Sequence, residues 1–177
     1  MRGYFGIGVE GISKPMNVGN LFRSAHGFGA SFVFTIGAEL MRGASKSDTS
    51  DTAAEVPTYT FATLADFRLP KGCSLVGIEI RDDATVLPSF HHPRCAAYVL
   101  GRERGSLSPE LVALCDHLVK IPTKFSINVA SAGVVVMYDR LINLGRFASR
   151  PLVAGGDPLP LPDHVFGAPR KRTRRAP

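Results

Sequence analysis

The chain has 177 residues, of which 45% are hydrophobic and 20% charged, and its formal net charge is +6. This composition favours one globular domain with a real core, and the three cysteines, which form no C-x-x-C pair, exclude a disulfide scaffold or a thiolate zinc site. No apolar run approaches the ~20 residues of a membrane span, so we expect a soluble, cytoplasmic protein with no membrane or metal partner.

Short runs rich in β-branched and aromatic residues alternate with helix-like stretches along the chain. The runs at 5–9, 31–36, 74–80, 96–100 and 117–121 predict strands. The stretches at 17–28, 108–115 and 128–147 predict helices, and Ser108-Pro109-Glu110 is a favourable helix start. Apolar strands separated by helices are typical of a mostly parallel sheet covered on both faces. We therefore expect an α/β fold.

Two segments lack any helical or strand period. Residues 44–60 are rich in Ser, Thr and Asp and predict a surface loop with room for one short helical turn. From Pro151 onward the chain has six prolines, and residues 150–177 carry most of its excess positive charge, which predicts a disordered tail over 151–177 after a folded domain over 1–150. The tail either contacts nucleic-acid phosphates or is a solvated end, and the sequence leaves both open.

The segment Gly6-Ile7-Gly8-Val9-Glu10-Gly11 matches the G-x-G-x-x-G pattern of dinucleotide-binding proteins, with Glu39 as a candidate ribose-binding acid. That pattern has to follow a strand and open a helix. Here barely five residues precede it, and Pro15 follows soon after. We therefore expect these glycines within or just after the first strand, and reject an NAD-dependent oxidoreductase.

Three other segments place polar residues where parallel sheets bind ligands. Asn17 and Arg23 bracket the first turns of a helix, although they are also consistent with a helix cap and a solvated charge. Leu100-Gly101-Arg102-Glu103-Arg104-Gly105 links a strand to a helix, although a tight turn would have the same residues. Ser126 and Asn128 follow Ile121-Pro122 and precede a helix that either could cap.

Taken together and in this order, the three segments resemble the motifs of the SpoU (TrmH-like) branch of the SPOUT RNA methyltransferases. The resemblance covers roughly residues 3–148, with N-x-G-N-x-x-R at 17–23. It implies a minimal member whose sheet carries a deep C-terminal trefoil knot, a rare exception among folds. It also implies a homodimer in which the helices starting near Asn17 and Asn128 form the interface, although the small residues of the second helix are equally consistent with packing inside one subunit.

The resemblance further implies S-adenosylmethionine as the cofactor and an RNA ribose 2′-hydroxyl as the methyl acceptor. Transfer RNA is favoured over ribosomal RNA, and a knotted RNA-binding or assembly protein without methyl transfer is the alternative. The implied cofactor-binding residues are Ile78, Leu100, Gly101, Ile121, Ser126 and Ile127. The implied catalytic set is Arg23, Asn17, Glu103, Ser126 and Asn128. Thr123 departs from the family, many of whose members have methionine there.

Arg23 is the residue expected at the centre of the chemistry. The resemblance implies that it removes the ribose proton, but a guanidinium resists deprotonation and is attracted to phosphate. We therefore expect it first to hold an RNA phosphate and to orient the hydroxyl, with proton removal as the bolder hypothesis.

Overall fold

A computed structural model describes residues 3–11, 14–37, 55–102 and 105–161. The chain forms two compact units, Met1–Gly145 and Arg146–Pro177. The predictions for residues 44–54, for Glu39, for Glu103 and for the tail beyond residue 161 fall outside the described residues. Among the residues that the structure describes, no helix has the length and apolar character needed to cross a membrane.

The larger unit is built on a seven-stranded sheet in which every pairing is parallel. Its strands are β1 (Tyr4–Glu10), β2 (Phe32–Ile36), β3 (Thr58–Phe61), β4 (Ser74–Ile78), β5 (Thr85–Val86), β6 (Cys95–Leu100) and β7 (His117–Lys120). They lie in the order β3-β2-β1-β6-β4-β7-β5. The predicted parallel sheet is confirmed, with two edge strands, β3 and β5, that were not predicted.

In the described part of the chain, three α-helices cover the two faces of this sheet: α1 (Pro15–Gly27), α2 (Pro109–Leu114) and α3 (Val129–Leu144). Successive side chains of a strand point to opposite faces. Accordingly Tyr98 belongs to a core cluster with side chains of α1 and α3, whereas its neighbour Val99 belongs to a second cluster with Leu111 of α2. Helices on both faces are therefore confirmed.

The glycines of the apparent dinucleotide pattern lie in the middle of β1 and leave room for aromatic rings of β2. A Cβ at Gly6 would lie 2.2 Å from the Phe32 ring, and one at Gly8 would lie 2.4 Å from the Phe34 ring. Gly11 follows the strand with a φ of 61°, a conformation that favours glycine. These three glycines serve sheet packing and the strand end.

Helices α1 and α3 pack closely against each other on one face. A Cβ at Gly133 of α3 would lie 2.2 Å from Cδ1 of Leu21 in α1. Gly133 therefore has the role of close packing within the subunit, one of the two alternatives that the sequence left open for the small residues of this helix. The contact fixes how α3 lies over α1.

The other end of α3 is anchored by Arg140, which is only 2% exposed. Its guanidinium donates hydrogen bonds to the carbonyl oxygens of Tyr4, Pro93 and Arg94, at the amino ends of β1 and β6. It also lies over the rings of Phe5 and Tyr98. A buried cation needs such partners, so Arg140 fixes the position of α3 along the sheet.

Candidate functional site

A cavity of about 270 Å³ lies where three neighbouring strands of the sheet end. Ile78 ends β4, Leu100 ends β6 and Ile121 follows β7, and all three side chains line the cavity. The carboxyl ends of parallel strands are the usual place for ligands in such folds. We call this space the strand-end cavity.

The structure brings all six expected cofactor-binding residues to the wall of this one cavity. They are Ile78, Leu100, Gly101, Ile121, Ser126 and Ile127. The remaining lining residues are Glu79, Ile80, Arg102, Gly105, Thr123, Val129 and Ala132. Apolar walls interrupted by a few polar groups are typical of small-molecule sites, so the cavity suits a ligand with a flat apolar part and polar edges.

Gly101 lets two backbone segments approach closely at the cavity wall. A Cβ at this position would lie 3.0 Å from the Leu107 backbone nitrogen and 3.1 Å from the Ser106 carbonyl carbon. A larger residue would push the chain after β6 away from β6 itself. The glycine therefore fixes the shape of the wall.

Two carboxylates that the sequence did not single out hold the segment between β6 and α2. Glu79 accepts a hydrogen bond from the Leu107 backbone nitrogen at 2.8 Å, and Glu10 accepts one from the Ser108 backbone nitrogen at 2.7 Å. Ser108 also caps α2, as predicted, by accepting from the Leu111 nitrogen. The sequence signal for either carboxylate was only a charged residue at the end of an apolar strand.

The amino ends of α1 and α3 meet through two of the predicted catalytic residues. The Asn128 side-chain amide donates a hydrogen bond of 3.2 Å to the Asn17 side-chain oxygen. Asn128 also caps α3, since its oxygen accepts from the Ala130 nitrogen at 2.9 Å. Helix α1 begins at Pro15 after Lys14, so the alternative that Asn17 is its cap is wrong. Ser126 lines the cavity and is not the cap of α3.

Arg23 is exposed on α1 and is not a lining residue of the strand-end cavity. Within the described part of the chain its guanidinium has no hydrogen bond or ion pair, so the group is available to a partner from solution. The structure thus brings Asn17 and Asn128 together, places Ser126 at the cavity and leaves Arg23 on the helix surface. Glu103 lies outside the described residues.

The described residues contain no group of three or more His, Cys, Asp or Glu side chains placed to hold a metal ion. All three cysteines are free and half-buried. Burial raises the pKa of the Cys115 thiol to about 11, so this thiol is a poor nucleophile at neutral pH. The polar groups that the described part of the site offers are backbone groups, the hydroxyls and amides of its side chains, the Glu79 carboxylate and the two arginines, Arg23 and Arg102.

Comparison with known proteins gives a family for this arrangement. The sequence profile described as the SpoU rRNA Methylase family matches residues 5–138. Among curated proteins, the chain is 24% identical over 137 residues to the tRNA (guanosine(18)-2′-O)-methyltransferase of Escherichia coli strain K12, covering 74% of this chain and 60% of that protein. The chain thus spans about three fifths of that relative's length.

Solved structures share the fold. An AdoMet-bound rRNA methyltransferase from Sinorhizobium meliloti superposes with a TM-score of 0.72 at 19% identity, over 81% of this chain and 58% of that one. A structure described as giving insight into 2-OH methylation of C/U34 on tRNA has a TM-score of 0.70 at 22% identity, over 80% of this chain and 97% of that one. At these identities the superpositions establish the architecture alone.

Proposed function

The chain belongs to the SpoU rRNA methylase family, and on that premise we propose that it transfers a methyl group from S-adenosylmethionine to a ribose 2′-hydroxyl of RNA. The observation that carries the proposal is the strand-end cavity, whose wall contains all six residues expected to bind the cofactor. Transfer RNA is the favoured substrate for two reasons. The Escherichia coli relative is named for tRNA, and so is the solved structure of which this chain covers 97%. Ribosomal RNA is the alternative, supported by the neighbour from Sinorhizobium meliloti.

The strand-end cavity fits the adenosine part of the cofactor in its chemistry. Ile78, Leu100 and Ile121 supply apolar walls, and Gly101 lets the backbone of the following segment lie close to the cavity. Ser126 and Ile127 line the cavity from the segment between β7 and α3. The bound cofactor supplies an activated methyl group on a positively charged sulfur. The chain's own task is to hold the ribose oxygen in line with it, which accounts for much of the rate in such reactions.

We assign Arg23 the role of holding an RNA phosphate and orienting the 2′-hydroxyl. A guanidinium stays charged and binds phosphate in a two-pronged geometry, and the exposed, unpaired state of Arg23 in the described structure supports this assignment. Asn17 and Asn128, already joined by a hydrogen bond, position the ribose together with Ser126 and Glu103. Removal of the proton by Arg23 is the bolder form of the same proposal.

We further propose that the domain covers residues 1–150, with 151–177 as its tail, and ends in a trefoil knot. Strand β7 pairs with β4 on one side and with β5 on the other. The chain after α2 therefore runs between two segments that precede it in the sequence, an arrangement that supports the knot that the resemblance implies.

A homodimer is also proposed, with α1 and α3 at the interface. Helix α3 presents an apolar stripe to solvent at Val135, Tyr138 and Ile142. These positions lie three and seven residues apart, on one face of the helix. Because Gly133 and Leu21 already join α1 to α3 inside the subunit, the stripe on the outer side is left to a second copy.

The test is methyl transfer by the purified protein from S-adenosylmethionine labelled in its methyl group. Label is expected in bulk tRNA, on a ribose identified by mass spectrometry of nuclease digests. Label confined to rRNA would select the alternative substrate. Tight cofactor binding without label in either RNA would contradict the methyltransferase proposal and favour the alternative, an RNA-binding or assembly protein without methyl transfer.

Replacing Arg23 by alanine tests its assigned role. Arg23→Ala should lower transfer at least about a hundredfold, as loss of one positioned charge contact does, while cofactor affinity changes by no more than a few-fold. Lys71→Ala, which removes one exposed charge elsewhere in the described structure, is the matched control and should keep its activity. A large loss of cofactor affinity in Arg23→Ala would contradict the assignment to RNA.

A further inference from the structure

One wall of the strand-end cavity is formed by Gly101, Arg102 and Gly105. They are described residues of the segment between β6 and α2, which we call the β6–α2 loop. β6 lies between β1 and β4 in the sheet. Each of these two neighbours has a glutamate at its carboxyl end, Glu10 in β1 and Glu79 just after β4.

Glu79 joins the end of β4 to the far side of the β6–α2 loop. One carboxylate oxygen accepts from the Ile80 backbone nitrogen and the other from the Leu107 backbone nitrogen, both at 2.8 Å. The Glu79 backbone is itself fixed, because its nitrogen donates to the Val119 carbonyl of β7 at 3.0 Å. Glu79 and Ile80 both line the cavity. The carboxylate therefore bridges two walls of the same space.

Glu10 contacts the next residue of the same loop, Ser108, and not Leu107. Its carboxylate accepts from the backbone nitrogen and from the hydroxyl of Ser108, the residue that caps α2. Glu10 is not a lining residue of the cavity. The helix end is thus held from β1, whereas the cavity wall is held from β4.

We propose that Glu79 is a positioning residue for cofactor binding, which sets the width of the strand-end cavity by holding Leu107 and Ile80 on one carboxylate. The inference rests on the proposed function, since it concerns the same cavity. Only a carboxylate of this length offers two acceptor oxygens to two backbone N–H groups. Glutamine has the same shape but only one acceptor oxygen, so one of the two donors is left unsatisfied and the bridge between Ile80 and Leu107 is lost.

The test compares Glu79→Gln with Asp116→Asn. Asp116 accepts from the Leu75 backbone nitrogen at 2.8 Å, so the control removes the same kind of bond from the opposite end of β4, away from the cavity. Affinity for S-adenosylmethionine and S-adenosylhomocysteine is measured by calorimetry on the full chain. Glu79→Gln should weaken both by about tenfold, the effect of one lost charged hydrogen bond, and Asp116→Asn should stay within about twofold.

Kinetics separate positioning from a merely structural role. In Glu79→Gln the KM for S-adenosylmethionine should rise while kcat at saturation and the KM for RNA stay close to those of the parent. Amide hydrogen exchange should speed up at Leu107 in this variant and not in Asp116→Asn, a readout that needs no ligand. Glu79→Asp, whose shorter side chain reaches only one of the two donors, should give the same pattern in a milder form if Glu79→Gln fails to fold.

The possible results separate a failure of the role of Glu79 from a failure of the proposed function. Equal cofactor affinity in the parent, Glu79→Gln and Glu79→Asp, with unchanged exchange at Leu107, would overturn the role of Glu79 and leave the proposed function intact. A parent protein that binds neither adenosyl compound would overturn the proposed function, and the role of Glu79 with it.

Discussion

His92 is buried, and each of its two ring nitrogens has a hydrogen-bond partner. Its Nε2 lies 3.0 Å from an Asp139 carboxylate oxygen, which can only accept, so Nε2 carries the proton. Nδ1 then accepts from the Tyr98 hydroxyl at 2.6 Å, and that oxygen in turn accepts from Arg140. A second proton on His92 would leave the Tyr98 hydroxyl facing two donors.

Burial lowers the pKa of His92 below its usual 6.5, against a partial opposing effect of Asp139. Burial also raises the pKa of Tyr98 to about 12, so the tyrosine stays protonated throughout the neutral range. As the pH is lowered, His92 of the unfolded chain takes up its proton near pH 6.5, and His92 of the folded chain does so only at a lower pH. The unfolded state therefore binds more protons, and stability falls as the pH drops below 6.5 toward the lowered folded value.

We therefore expect the free energy of unfolding to fall between pH 7.5 and pH 5.5, with up to about 1.4 kcal/mol of the loss due to this one group. Urea titrations at the two pH values measure it, and His92→Gln should reduce the difference. NMR titration of the His92 ring gives the same answer directly. A midpoint at or above 6.5 would contradict the burial argument.

At the scale of elements, the contact between α1 and α3 sets how close their amino ends come. Gly133→Ala would place a methyl group against Leu21 and should destabilise the fold by about 1–3 kcal/mol, as overpacking does. Denaturant unfolding measures the loss. Ser131→Ala, at an exposed position of the same helix, is the control and should change the free energy of unfolding by less than about 0.5 kcal/mol.

Which elements the sequence predicts depends on how much of each is buried. β1, β2, β4, β6 and β7 show apolar runs and were predicted with small errors at their ends. β3 has no buried side chain and β5 has only two residues, so neither shows the apolar pattern from which a strand is predicted. The predicted strand at 74–80 ended two residues too late, because β4 ends at Ile78, and Glu79 and Ile80 already line the cavity.

The candidate site was predicted to a different degree for each kind of residue. Motif resemblance implied six of the residues that line the cavity, and the parallel sheet brings the ends of their strands to one edge. It did not give Glu79, because its bond to Leu107 joins residues 28 positions apart without any local pattern. Arg140 was missed for the same reason. A buried arginine in an apolar helix looks like a solvated charge until the carbonyl groups that it meets are known.

At the scale of the whole molecule, the outer stripe of α3 bears on the oligomeric state. Its side chains Val135, Tyr138 and Ile142 are between 38% and 50% exposed. Tyr138→Glu should convert the proposed dimer into a monomer, because it places a charge in an apolar contact. Light scattering after size-exclusion chromatography measures the mass.

Asn143→Glu is the matched control for this change. Residue 143 is exposed on the same helix but lies away from the stripe, so the same added charge should leave the dimer intact. A parent protein that is monomeric at micromolar concentration, or a Tyr138→Glu variant that is still dimeric, would contradict this interface.

The polarity of the parallel sheet has a practical consequence for engineering. The strand-end cavity lies at the carboxyl end of β6, and the Arg140 anchor lies at its amino end, about 16 Å away along the six residues of the strand. Substitutions that far apart usually add independently. A library that randomises Ile80, Thr123 and Ile127 to accept enlarged cofactor analogues should therefore leave the Arg140 anchor undisturbed. The NMR signal of the His92 ring, which lies beside the anchor, can then separate folded variants from unfolded ones before any activity is assayed.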